Sequence, residues 1–208
     1  MSPTTRANFL PDDRFVALRP ALKEYLAAMG RGITPENFAS LCDGLVLNLL
    51  HDGYRQIGGS EGSIWVLDRE KENLVIAHNN GPDAAKIIGF KQPLSEGIVS
   101  MVVATEQAFA ENEVYKNKKH SPTLDRTLGK TTYAMVVVPF YLLGEVRGVI
   151  SCVQLLSVRF EGQEAAPTGA LPSGFSADHM GIAQRTATVI TELLDHRLLK
   201  TAIGWGQQ

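Results

Sequence analysis

Between Lys116 and Lys130 the sequence sets Lys116, Lys118, Lys119, Arg126 and Lys130 against one acid, Asp125. Cations grouped in this way lower the cost of bringing negative charge out of water. Lying over a pocket, such a segment favours an anion such as a phosphate; lying on a solvated loop, it does no more than keep the loop soluble. Asp125 has two readings as well. With Thr132 it can hydrogen-bond a ring or hydroxyl of a ligand, or it can cap a short helix by accepting from free amides. Asn112, Tyr115 and Tyr133 flank the same region, although buried tyrosines commonly satisfy their hydroxyls on backbone groups. His120 is the one histidine close by. The candidate binding residues are therefore Asn112, Tyr115, His120, Asp125, Arg126, Lys130, Thr132 and Tyr133.

Other chemistry finds no pattern to rest on. His51, His78, His120, His179 and His196 have no spacing suited to a metal, and no carboxylate pair accompanies them. No Ser-His-Asp order or nucleophile elbow is present, and "GGSEG" follows a helical stretch and precedes a strand, the wrong context for a phosphate loop. The expectation is a protein without catalytic residues, and no cofactor is indicated.

The bulk of the chain fits a binding module. It has 208 residues, 44% hydrophobic and 20% charged, enough apolar side chain for a sizeable core. A net charge of −2 argues against a dedicated nucleic-acid binder. The N-terminal stretch lacks the apolar run of a secretory signal, and "AMVVVPFYLL" is too short to span a bilayer and contains a proline. Cys42 and Cys152 are the only cysteines, which points to a reducing cytoplasm without a disulfide framework.

The elements that must position the candidates follow from periodicity. Residues 1–13 read as a polar leader, 14–203 as one domain and 204–208 as a tail, in which Trp205 either docks on a partner or frays. A helix with Val16, Leu22 and Leu26 on one side precedes a second helix that Thr34 and Pro35 start, with Phe38, Leu41, Leu45 and Leu49 as one stripe. "GSIWVLD" and "NLVIAHN" form a hairpin across "REKE". Ser95 caps a short helix with Ile98, Met101 and Val102 buried, and "AFAEN" is a brief strand. "AMVVVPFYL" and "RGVISCVQLL" form a long hairpin. In the latter both alternating faces are mainly apolar, so the sheet is covered on both sides. Phe160–Phe175 reads as an exposed loop, and Ser176 caps a final helix with Ile182, Val189, Ile190, Leu193, Leu194 and Leu198 on its apolar side. The fold class is α+β: an antiparallel sheet with terminal helices on one face, short helices and lid loops enclosing a pocket on the other.

In this order the motifs resemble a GAF domain over Pro35 to Leu199. "PLSEGIVSMVVATEQAF" is similar to that family's Gly-containing helix, turn and strand. Asp125, Gly129 and Thr132 stand at its spacing before the strand that ends at Pro139, and "GEVRGVISCVQLL" and "FSADHMGIAQRTATVI" resemble its Gly-containing strand and closing helix. The lid looks most like the cyclic-nucleotide-binding branch, but Ser157 and Val158 stand where that branch carries Asn-Lys. Neither cysteine falls where the bilin-binding branch needs one, and the pocket cysteines of the free methionine sulfoxide reductases are missing. The resemblance implies a regulatory small-molecule sensor, here expected without an attached effector. It would signal as a homodimer through its terminal helices or through a separate effector protein, with an anionic or nucleotide-like ligand. The alternative is a ligand-free dimerisation or interaction scaffold.

Overall fold

The computed structural model describes residues 13–156 and 170–202. The polar leader, Ser157 and Val158, most of the Pro/Gly-rich loop and the Trp205 tail lie outside the described residues.

Six strands form one antiparallel sheet: β1 (Glu61–Leu67), β2 (Asn73–Asn79), β3 (Lys91–Pro93), β4 (Phe109–Asn112), β5 (Thr131–Leu142) and β6 (Glu145–Leu156), in the order β3-β2-β1-β6-β5-β4. The long β5–β6 hairpin turns at Leu143 and Gly144, both with positive φ (51° and 82°), the conformation that matches the twist of a two-residue hairpin. The short edge strand β3 had no sequence signal. Its three residues are too few to show an alternation.

Both faces of the sheet are buried, as the doubly apolar β6 required. One face carries Ile64, Val66, Val136, Val138, Phe140, Ile150 and Cys152 against the helices α3 (Gly44–Ile57) and α7 (Ala177–Ala202). Phe38 meets Phe140 edge-on at 5.8 Å there. The opposite face carries Trp65, Leu74, Ile76, Met135, Val137 and Val149, beneath α4 (Ala84–Ile87), α5 (Ile98–Thr105) and a lid that ends in α6 (Thr123–Leu128).

The helical layer departs from the expected stripe. Pro35–Phe38 is a single turn (α2), followed by a 3-10 turn, and the chain then breaks at Asp43. The Asp43 carboxylate accepts from the amides of Leu45 and Val46 and so starts α3 afresh. That restart resets the helical phase: Val46, Leu50, Tyr54 and Ile57 are buried, whereas Leu45 is 53% exposed. On α7 the buried row is Ala183, Ala187, Ile190, Leu194 and Leu198, with Val189 turned outward. Small alanines let α7 lie close to the sheet. Asp195 of α7 accepts from Leu143 N (2.7 Å), and Thr191 donates to Tyr141 O (3.0 Å), which ties the helix to the hairpin turn.

α1 (Asp13–Arg31) stands largely clear of this body, with Val16, Leu18, Leu22 and Tyr25 exposed. Its link to α2 rests on Arg147, a side chain only 1% exposed whose Nη2 donates to Ile33 O at 2.6 Å. Among the described residues no helix is long and apolar enough to cross a membrane.

Candidate functional site

The face of the sheet opposite α7 holds a cavity of about 50 Å³ between the strands, α5 and α6. Its floor is a row set by register. Asn79 of β2, Ser63 of β1 and Ser151 of β6 lie side by side across three strands, flanked by Trp65. Asn79 Nδ2 donates to Ser63 Oγ (2.9 Å) and Trp65 Nε1 donates to Ser151 Oγ (3.0 Å).

Two β-bulges bring polar residues to that face. β5 carries an extra residue at Tyr133, since Thr132 lies opposite Leu155 and Ala134 opposite Gln154. Thr132 therefore joins Met135 on the cavity side, while Tyr133 and Ala134 fall into the helix-side core. β2 does the same at Ala77, so that Asn79 shares a face with Ile76. An extra residue inverts the two-residue alternation beyond it.

The roof is the lid from Val114 to Leu128. Asp125 pins it: its Oδ1 accepts from Thr132 Oγ1 (2.7 Å), and its Oδ2 accepts from Thr132 N (2.9 Å). His120 Nε2 lies 3.1 Å from the same Oδ2. Gly129, with φ 62°, closes α6 and turns the chain into β5. Lys130 makes a second tether, bonding Glu61 Oε1 and Asp83 Oδ2, each at 2.9 Å. Asp83 is held down to about 2 by the Lys86 ammonium and by Lys130, and Asp83 and Glu61 in turn raise Lys130 above the usual lysine value.

α5 closes the third side. It starts at Gly97 and not at Ser95: Gly97 has φ 87°, and a Cβ there would stand 2.0 Å from Gln92 Nε2. Only glycine permits both the left-handed backbone and this approach. Gln92 uses its amide to hold the turn, donating to Glu96 O at 3.1 Å. A more open groove of about 450 Å³ runs outside, between α5 and Lys118, Lys119 and Pro122. It shares Gly97, His120 and Ser121 with the inner cavity, so these residues form the partition between the two.

Of the residues expected from sequence, His120, Asp125 and Thr132 come together at the cavity. Lys130 touches it indirectly, through Glu61. Arg126 is exposed on α6. Tyr115 and Tyr133 stack on each other at 6.4 Å and pack with the opposite, helix-side core. Asn112 clamps the chain ahead of α7, accepting from Phe175 N (2.7 Å) and donating to Phe175 O (3.2 Å). Lys116 is paired with Glu113 at 2.7 Å. The sequence reading passed over Glu61, Ser63, Asn79, Gln92 and Ser151, which are all buried polar residues at the cavity. Both thiols are inert by burial, Cys42 pushed up to about 11 and Cys152 to about 12.

No protein-family model matches the chain, and no curated protein matches it. Solved structures do. The GAF domain of a two-component sensor histidine kinase from Bacillus halodurans is 13% identical with a TM-score of 0.54, the match covering 77% of this chain and 99% of that one. The GAF domain of PixJ from Thermosynechococcus elongatus, in its blue-light-absorbing form, is 14% identical with a TM-score of 0.52, over 77% and 90%. The GAF domain of a phosphoenolpyruvate-protein phosphotransferase from Coxiella burnetii is 13% identical with a TM-score of 0.52, over 76% and 96%. The chain has the GAF fold.

Proposed function

We propose that the chain is a sensory or regulatory GAF module whose small-molecule site is the lidded cavity, with His120, Asp125 and Thr132 at the ligand. The observation that carries this reading is a cavity walled by buried polar side chains and roofed by a segment tied down at Asp125 and Lys130. Fold likeness to domains of a sensor kinase and of a light-absorbing protein supports it. Ligand sites in proteins commonly run to about 300–1,000 Å³. The present cavity is the closed form, and a ligand of ordinary size enters by displacing α6, which has no buried residue of its own. Output passes through a homodimer built on the terminal helices or through a separate effector, and the module works without catalysis. The site test is a thermal-shift screen of the full chain against metabolites, since any ligand of the folded state raises apparent stability. Stabilisation that Asp125→Ala abolishes supports the site; no stabiliser across a broad set rejects it.

A second reading, a ligand-free dimerisation scaffold, is supported by the small cavity volume and by the exposed apolar residues of α1. In that case the screen is blank, while charge substitutions on α1 still change the oligomeric state.

A further inference from the structure

The charges that face the cavity point to a ligand class opposite to the one the basic lid suggested. Among the described residues, its lining includes two formally charged side chains, Glu61 and Asp125, and no lysine or arginine. The basic residues are spent elsewhere: Lys116 on Glu113, and Lys130 on Glu61 and Asp83 together. Lys118 and Lys119 line only the outer groove. Around the lid tether, the three carboxylates of Glu61, Asp83 and Asp125 thus stand against two ammonium groups, Lys130 on Glu61 and Asp83 and Lys86 on Asp83.

Two acceptor oxygens of the cavity wall have no protein donor among the described residues. Glu61 is 4% exposed; its Oε1 accepts from Lys130, and its Oε2 accepts nothing among the described residues. Gln92 is 6% exposed; its Nε2 is engaged, and its Oε1 likewise accepts nothing among the described residues. These two oxygens stay accessible at the cavity, where an incoming N–H takes the place of water, and a carboxylate holds it more strongly than a neutral acceptor does. Ser63 and Ser151 are already used as acceptors by Asn79 and Trp65, and their hydroxyls complete the floor. Around these polar points the wall is apolar, with Trp65, Ile98, Leu124 and Leu128. An anion placed here would meet two carboxylates at low effective dielectric, and the ammonium bonded to one of them, Lys130 on Glu61, is shared with Asp83.

We propose that the cavity takes a small organic cation, a protonated amine or amidinium on an apolar body, with its N–H groups on Glu61 and Gln92. This rests on the sensor reading above. The apolar body occupies the space that Leu124 and Leu128 leave when α6 lifts. Lys118 and Lys119 at the outer groove are solvent-exposed, so salt screens their repulsion of an arriving cation.

The test uses the full chain, thermal shift and titration calorimetry, with benzylamine, histamine and agmatine against benzoate, inorganic phosphate and adenosine monophosphate. At least one amine is expected to bind and to stabilise the fold, and none of the anions. Glu61→Gln should weaken that amine by about tenfold or more, and Lys118→Ala should leave it unchanged. Because Glu61 is buried and paired, its variant can fail to fold. Benzyl alcohol, the same body without the charge, then makes the comparison on the unaltered chain and should bind about tenfold or more weakly than benzylamine. Binding of an anion at the cavity, or equal binding of the alcohol and the amine, overturns the inference and leaves the sensor reading standing. Binding by neither amines nor anions, nor by any other compound of the broad metabolite screen, overturns both.

Discussion

Asp125 does at the residue scale what neither sequence reading alone described. It does not cap its own helix; from the cavity wall it reaches forward to Thr132 and holds the lid by a strand residue. Asp125→Ala removes both bonds to Thr132 and the contact with His120. The expected result is a loss of about 1–3 kcal/mol in urea unfolding. Hydrogen exchange should quicken over 120–132 while α7 stays protected, because the lid then opens as a local unit. Asp125→Asn keeps one acceptor and should fall between the two. The second tether has a pH signature. Lys86 and Lys130 hold the Asp83 carboxyl at about 2 against an ordinary 3.8. A carboxyl lowered by folding stabilises the fold at pH above its unfolded value, and the contribution disappears as pH falls through its folded value. Thermal melts from pH 5 to 2 should therefore show a loss below about pH 4 that is smaller in Asp83→Asn. A parallel curve for the variant would show that Asp83 contributes nothing to lid closure.

Among the elements, α1 is the one whose sequence exceeds what the fold uses. Leu22 is 55% exposed, and Leu18 and Tyr25 are turned out with it on a helix whose described side chains first become partly buried at Leu26. The proposed dimer through the terminal helices predicts that Leu22→Glu with Tyr25→Glu turns dimer into monomer in light scattering. The melting temperature of the dissociated chain should be unchanged within a degree or two, since neither side chain packs in the monomer. A dimer that survives the double change excludes α1 from the interface.

The same scale explains which elements were legible. Doubly apolar strands, hairpin turns and a capped final helix have strong local signals, and these elements stand as read. α3 was misphased because Asp43 starts it over, and an aspartate in mid-pattern looks equally like a surface residue. The cavity residues were harder. Ser63, Asn79 and Ser151 are small polar residues in strands, and their burial depends on partners 16 and 86 residues away. Nothing local marks that distance. The pairing of Lys130 was hidden for a related reason: its partners Glu61 and Asp83 come from β1 and from the turn after β2.

As a whole molecule, the protein is a sheet with unequal faces. The α3–α7 side is packed with large side chains, while the lid side keeps a cavity. Truncation should then cost differently on the two. Phe140→Ala, fully buried against Phe38, is expected to lose about 3–5 kcal/mol in denaturant unfolding. Met135→Ala, five residues earlier on the cavity face, should lose less, because its neighbours are already loosely filled and α6 can settle. Equal costs would mean that the cavity is as tightly constrained as the core, and the lid would not be expected to open.

The two bulges place a different demand on the chain. At Ala77 and at Tyr133 one residue carries no pairing partner, and the strand changes face beyond it. These residues act like an inserted letter in a coded message: the bulge absorbs each one, and strict alternation without the bulge would read Asn79 or Thr132 on the wrong side. Regular pairing of β5 with Tyr133 still present would send Thr132 to the helix side and the lid's anchor with it, whereas deleting Tyr133 would leave Thr132 opposite Leu155 on the cavity face. A comparison of distant chains that leaves out the one-residue gap at either bulge would therefore match cavity residues to core residues. The site is written in the count of residues along two strands as much as in their identities.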